Sequence, residues 1–387
     1  MKTVLNCFIM LIIFSIFSCQ NQNEKIQTKE LAVAIPVNEK PKLKASNIKV
    51  CLLLDTSNSM DGLIDQAKAQ LWKIVNELSY ASCENIRPEL QIAIFEYGND
   101  NLPASEGHIR LVLPFSGDLD TISKELFSLT TNGGNEYCGQ VLQNAMVQLD
   151  WGQNEKDLKL IFIAGNEPFD QGQVRYQNVM EHTLKNNIVV NTIFCGDYNQ
   201  GVETYWKNGA DLSKGTYMAI NHNLKTTHIA SPYDQEIINL NNKLNKTYMA
   251  YGYFGETKLK EQELQDENAE SYSFANAVSR SVSKSSHLYK NSKWDLIDAS
   301  DDAEFKIEDI SKEQLPDSLK ALSTSELKQV ISDKKQERET ITKSIQSLNE
   351  KRKQFINSKE NNDSNTLDNA LIQAIKKQAK LKGYHWE

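Results

Sequence analysis

The sequence predicts an α/β fold: a doubly wound, mostly parallel sheet with helices on both faces, followed by an α-helical C-terminal region. Two observations carry this. From about residue 48 to residue 220, short apolar runs of strand length alternate with amphipathic stretches of helix length, the pattern of consecutive β-α units. The first run, residues 48–54 (IKVCLLL), is apolar almost throughout, as a central strand covered on both faces requires.

The elements follow in order. After the first strand, Leu63, Ile64, Ala67, Leu71, Ile74, Val75 and Leu78 recur at three- and four-residue spacing, which predicts a helix with one core-facing stripe. Residues 90–97 and 108–113 read as two strands joined by a Gly/Asn/Pro-containing loop, an antiparallel edge. Helices are expected over 118–129 and 140–149, a strand over 158–164, a helix over 174–185, a strand over 188–195, a helix over 202–212 and a last strand over 217–220. Beyond residue 224 the pattern turns helical, with segments over 232–244 and 257–289 and an extended piece at 294–298 that docks through Trp294. From Leu315 the spacing becomes heptad-like. Leu327, Ile331, Ile341, Ile345, Leu348 and Phe355 fall on one seam, interrupted by Lys334, Arg338 and Arg352, so an isolated coiled coil is not expected. A second helix over 367–381 is expected to fold back across Asn361-Asn362-Asp363 as a hairpin. The domain plan is therefore 1–18, 19–46, 47–223, 224–310 and 311–387.

The first two of these segments are not part of the fold. Lys2 precedes an apolar run from Val4 to Phe17, broken at Asn6, Cys7 and Ser15, and Ile16-Phe17-Ser18-Cys19 follows. This resembles a bacterial lipoprotein signal with its lipobox, which implies cleavage before Cys19 and lipidation of that residue. The polar, Lys/Glu-rich stretch up to residue 46 reads as a flexible tether. The expected location is the bacterial cell envelope, and Gln20, where an Asp would favour inner-membrane retention, points to the outer membrane. With 43 Lys and Arg against 51 Asp and Glu, the net charge is −8, which disfavours a nucleic-acid partner. Cys51, Cys83, Cys138 and Cys195 remain in the folded part; no C-x-x-C pair occurs, so neither a zinc ribbon nor a dithiol redox site is indicated.

Leu54 is followed by Asp55-Thr56-Ser57-Asn58-Ser59-Met60, a D-x-S-x-S motif between an apolar strand and an amphipathic helix. One carboxylate and two hydroxyls can converge there at the carboxyl end of the sheet, where ligands of such folds bind, and hard oxygen donors suit Mg²⁺ or another divalent cation. Helix capping by the same residues is the plainer alternative. Residues 47–223 thereby resemble the von Willebrand factor A family, whose metal-ion-dependent adhesion site opens with this motif. The resemblance implies that Asp55, Ser57 and Ser59 are metal ligands and that an acidic group of a partner takes the free position. Two further motifs depart from the family's pattern. Gly133-Gly134-Asn135-Glu136 has Asn135 or Glu136 where a Thr is usual, and Ala164-Gly165-Asn166-Glu167 places Gly165 where an Asp is usual. Asn135, Glu136, Asn166 and Glu167 are the candidates to complete the site. Cys138 and Cys195, both placed on that rim, are expected to form a disulfide, with two free thiols as the alternative.

No G-x-S-x-G elbow, H-E-x-x-H, phosphate loop or dinucleotide-binding glycine pattern occurs, and the six histidines lack ligand spacing. The expected function is a lipid-anchored binding module for an envelope or extracellular protein or glycan, not an enzyme. The alternative is an envelope scaffold with an empty site that works through its C-terminal helices.

Overall fold

The structure, a computed structural model, describes residues 46–223, 229–359 and 367–386. The signal segment, Cys19 and the tether up to residue 45, and the Asn361-Asn362-Asp363 turn, lie outside these. Among the described residues no helix is long and apolar enough to cross a membrane.

The chain runs through β1 (Asn47–Asp55), α1 (Asp61–Leu78), β2 (Ala81–Cys83), β3 (Glu89–Tyr97), β4 (Ile109–Ser116), α2 (Leu119–Phe127), α3 (Cys138–Gln148), β5 (Leu158–Gly165), α4 (Tyr176–Lys185), β6 (Ile188–Phe194), α5 (Tyr198–Glu203), α6 (Trp206–Leu212) and β7 (Tyr217–Ala219). It continues with α7 (Asp234–Asn245), α8 (Gly255–Tyr272), α9 (Phe274–Lys284), α10 (Leu296–Ala299), α11 (Thr324–Asn357), α12 (Leu367–Leu381) and β8 (Tyr384–Trp386). Six strands form one sheet in the order β4-β3-β1-β5-β6-β7, parallel except for β4, which runs antiparallel to β3. This is the expected doubly wound sheet with its antiparallel edge.

Side chains alternate across the sheet, as a period of two demands. Ile48, Val50 and Leu54 of β1 and Leu160 and Phe162 of β5 face one core, together with α1, α2 and α12. Cys51 and Leu53 of β1 and Ile161 and Ile163 of β5 face the other, against Val141 of α3, Met180 of α4 and Trp206 of α6. Burial on both sides explains why these strands read as continuous apolar runs. All seven residues of the predicted α1 stripe are buried.

Besides the piece at 294–298, expected to be extended but helical from Leu296 as α10, three expectations change. The helix expected over 202–212 is two short helices, because Tyr205 between them takes a left-handed backbone at φ 69°. The α11–α12 hairpin is not how these helices pack. α11 lies chiefly on α7 and α9, whereas α12 lies on α1 and β5 with Leu371, Ala374 and Ile375 in the sheet's core. The chain end then returns to pair β8 antiparallel with β2, a two-stranded ribbon that three-residue strands give no periodicity to foresee. The third is the disulfide: Cys138 and Cys195 are both free. Cys138 packs in the core with Cys51 and Leu53, and Cys195 in the core on the opposite face of the sheet with Leu54 and Ile193, so the sheet stands between them.

Charged residues stitch the helical region together. Arg338, which interrupts the α11 seam, is 9% exposed and donates to Asp295 at 2.6 Å, to Asp298 at 2.8 Å and to the Thr247 carbonyl at 2.8 Å. Its guanidinium lies 4.2 Å from the Tyr248 ring centroid. Arg352 likewise meets Asp234 at 2.8 Å. Against the sheet domain, Arg280 of α9 pairs with Asp120 of α2 at 2.8 Å and Asp266 of α8 at 2.5 Å, beneath Trp72 of α1.

Candidate metal centre

At the carboxyl end of β1 the chain leaves the sheet and three further loops close around it. Asn132 N–H donates to the Thr56 carbonyl at 3.0 Å, Asp100 N–H to the Gly133 carbonyl at 2.5 Å, and Asn99 Nδ2 to the Thr130 carbonyl at 2.9 Å. The turns after β1, β3 and α2 are thereby tied to one another, and the turn after β5 completes the rim.

Asp55 is fully buried here. Its Oδ1 accepts from Ser57 N–H at 2.8 Å, and its Oδ2 has no hydrogen-bond partner. Ser57 Oγ and Ser59 Oγ lie 3.2 Å apart, and Asn166 Nδ2 donates to Ser59 Oγ at 3.1 Å. Asn166 Oδ1 is buried and unpartnered. Glu136 is 5% exposed, stands with Asp55 over Gly98, and leaves its Oε2 unpartnered as well. Asp55, Ser57, Ser59, Glu136 and Asn166 therefore share one site. Asn135 is exposed, so of the two residues at the usual Thr position it is Glu136 that turns inward. Glu167 is exposed at the edge, accepting from Gln171 Nε2 at 3.2 Å, while its charge still reaches Asp55 and Glu136.

The floor consists of Gly165, which the motif reading named, and of Tyr97 and Gly98, to which it gave no role. Tyr97 is fully buried and donates from its hydroxyl to the Ala164 carbonyl at 3.0 Å. A Cβ on Gly165 would sit 2.5 Å from that hydroxyl and 3.0 Å from Asp55 Oδ2. The Asp usual at this position has no room. Gly98 holds φ 79°, and a Cβ there would stand 2.7 Å from Glu136 Cγ. The available signal was the Tyr-Gly-Asn sequence directly after β3, a strand end that needs a left-handed turn.

Electrostatics follow from burial. Desolvation raises the Asp55 carboxyl from 3.8 to about 6, against hydrogen bonds from Ser57 that hold it down. Desolvation and the neighbouring Asp55 charge raise Glu136 from 4.5 to about 9. Each carboxyl thus resists ionisation while its neighbour is charged. A buried carboxyl pair with unpartnered oxygens is costly unless a cation or a proton neutralises it.

A divalent cation fits these residues. Asp55 Oδ2, Glu136 Oε2 and Asn166 Oδ1 are buried without hydrogen-bond partners, and the Ser57 and Ser59 hydroxyls lie in the same site. Such oxygen-only donors suit Mg²⁺-type ions. Among the described residues no cluster of three or more His, Cys, Asp or Glu is placed to hold a metal, so hydroxyl and amide oxygens would have to supply part of the shell.

No family model matches the chain, and no curated protein does. Solved structures are similar over less than half of the chain. The VWA domain of SpRpn10 is 14% identical, covering 45% of this chain and 88% of that one, with a TM-score of 0.34. BatB from Bacteroides thetaiotaomicron is 14% identical over 45% of this chain and 90% of its own, with a TM-score of 0.35. A proximal thread matrix protein 1 from the mussel byssus, described with a zinc-occupied MIDAS motif, is 14% identical over 45% of this chain and 42% of its own, also at 0.35. Independently of these, the present sheet carries its D-x-S-x-S turn on the central first strand and an antiparallel edge at β4. This topology is the one that the resemblance of residues 47–223 to the von Willebrand factor A family implies. Relative to the pattern of the family that the sequence resembles, the turn after β1 keeps its carboxylate and both serines, while Glu136 and Asn166 stand in the two loops where a Thr and an Asp are usual.

Proposed function

We propose that this A domain is a divalent-cation-dependent binding module, held by a lipid on Cys19 at the bacterial cell envelope, with the outer membrane favoured over the inner. It binds an envelope or extracellular protein or glycan and performs no catalysis. The observation that carries the reading is the set of three buried, unpartnered oxygens on Asp55, Glu136 and Asn166, in the same site as the two serine hydroxyls. Asp55, Ser57, Ser59, Glu136 and Asn166 would hold the cation, and Glu167 would bias the rim electrostatically. When bound, the ion supplies an electrophilic position for an oxygen of the partner. The chain's own residues do the rest: Gly165 and Gly98 leave room for the carboxyls, and the Ser57 amide orients Asp55.

Addition of Mg²⁺, Mn²⁺ or Ca²⁺ to the purified chain should raise its melting temperature by several degrees, as ligand linkage requires at saturating concentrations. Asp55→Ala should abolish the rise. An unchanged melting temperature in the wild type with all three ions would contradict the reading.

A further inference from the structure

A groove of about 560 Å³ opens between α3 and α4, and it shares no residue with the proposed cation site. Arg175, Asn178, Val179 and His182 recur at three- and four-residue spacing, so they fall on one face at the start and along the length of α4, and all four line the groove. Gln143 of α3 lines it as well, together with Gln173. Gly139 sets how closely the two walls approach. A Cβ there would lie 2.1 Å from the Val174 carbonyl, so only a glycine lets the chain entering α4 cross directly over α3.

The polar side chains of this groove are unengaged. Arg110, Arg280, Arg338 and Arg352 each meet a carboxylate, whereas among the described residues Arg175 meets none. The side chains of Gln143, Gln173, Asn178 and His182 likewise have no hydrogen-bond partner there. No acidic residue lines the groove, and Glu181 of the same helix pairs instead with Lys185 at 3.0 Å. Five polar groups thus converge on one concavity around a permanent positive charge that nothing in the groove neutralises.

Their chemistry indicates the ligand. The guanidinium offers a planar fork to the two oxygens of a carboxylate. A phosphate monoester brings close to two negative charges near neutrality, more than one arginine balances. Each of the three carboxamides both donates and accepts, as do the hydroxyls of a sugar. Val174 and Val179 add an apolar stretch of wall, and the volume suits a small molecule. We propose that this groove binds a saccharide bearing a single carboxylate, with the carboxylate on Arg175 and the sugar hydroxyls on Gln143, Gln173, Asn178 and His182, and that no metal takes part.

The test applies the full chain, with EDTA present throughout, to an array of saccharides ending in glucuronate, galacturonate or N-acetylneuraminate, beside their neutral counterparts and sugar 6-phosphates. The expected result is retention of at least one carboxylate-bearing saccharide in preference to its neutral counterpart and to the phosphates, weakened by added salt. Arg175→Gln, at an exposed side chain without a partner, should leave the melting temperature unchanged and weaken that retention at least ten-fold. Asp55→Ala should leave it unaltered. No retention of any carboxylate-bearing saccharide, equal retention of the neutral or phosphorylated ones, or undiminished binding by Arg175→Gln overturns the proposal. Retention that appears only when EDTA is replaced by Mg²⁺ and is lost in Asp55→Ala also overturns it, and assigns the saccharide to the cation site instead.

Discussion

Gly165 decides what the candidate site can be. The sequence shows a departure from the A-domain pattern at this position, and it reads there as a lost ligand. The coordinates give it a steric cause, since the space of a side chain is taken by the Tyr97 hydroxyl and the Asp55 carboxyl. Gly165→Ala should therefore destabilise the fold by about 1–3 kcal/mol, the range for overpacking a tight interior. Combined with Tyr97→Phe, which removes the nearer atom, it should cost less than the sum of the two single changes, by about 1 kcal/mol in a denaturation double-mutant cycle. Strict additivity would show that the two do not share that space. At the same scale, Asp55, Ser57 and Ser59 were legible because a motif names them. Glu136 over Asn135 was not, because which of two adjacent residues turns inward depends on the backbone of a loop without periodicity.

Elements were legible where one pattern governs them. The strands of the sheet and the α1 stripe follow directly from burial on one or both faces. The long α11 was legible in its apolar seam, but Arg338 and Arg352 appeared there as defects, whereas the buried Arg338 pairs with Asp295 and Asp298 and the half-buried Arg352 with Asp234. Sequence spacing does not show such partners, since Asp295 and Asp234 arrive from distant segments. Asp298, beside Asp295, is raised to about 6 mainly by desolvation and by that neighbouring charge, with Arg338 opposing. Removing the guanidinium by Arg338→Ala leaves two buried carboxyls uncompensated and should cost about 3–5 kcal/mol in urea-monitored unfolding. A loss below about 1 kcal/mol would mean that water already screens the cluster.

At the scale of the whole molecule, the C-terminal region belongs to the fold of the sheet domain. Leu367, Leu371 and Ile375 of α12 complete the core over β1 and β5, Gln66 of α1 accepts from the Leu367 N–H at 3.2 Å, and β8 closes onto β2. Truncation after residue 359 should uncover that core and yield aggregated protein or a melting temperature lower by 10 °C or more, read by light scattering and calorimetry. An unchanged melting temperature would show the helix to be a detachable arm, as a scaffold working through its C-terminal helices would require. The proposed cation site, in contrast, is a rim property with its own pH signature. Between about pH 4 and pH 9 Asp55 and Glu136 together bind more protons in the folded chain than in the unfolded one, because burial raises Asp55 to about 6 and Glu136 to about 9. Without a cation these groups therefore favour folding most at acid pH, and their contribution is lost as pH rises through those values. A bound cation needs both carboxylates ionised and must displace the proton from Glu136. The most direct measurement is calorimetric titration of Mg²⁺ at pH 7 in buffers of different ionisation enthalpy. The account predicts saturable binding with release of about one proton per ion, and no release in Glu136→Gln. No binding heat in any buffer, or binding of equal proton count in wild type and Glu136→Gln, would contradict it.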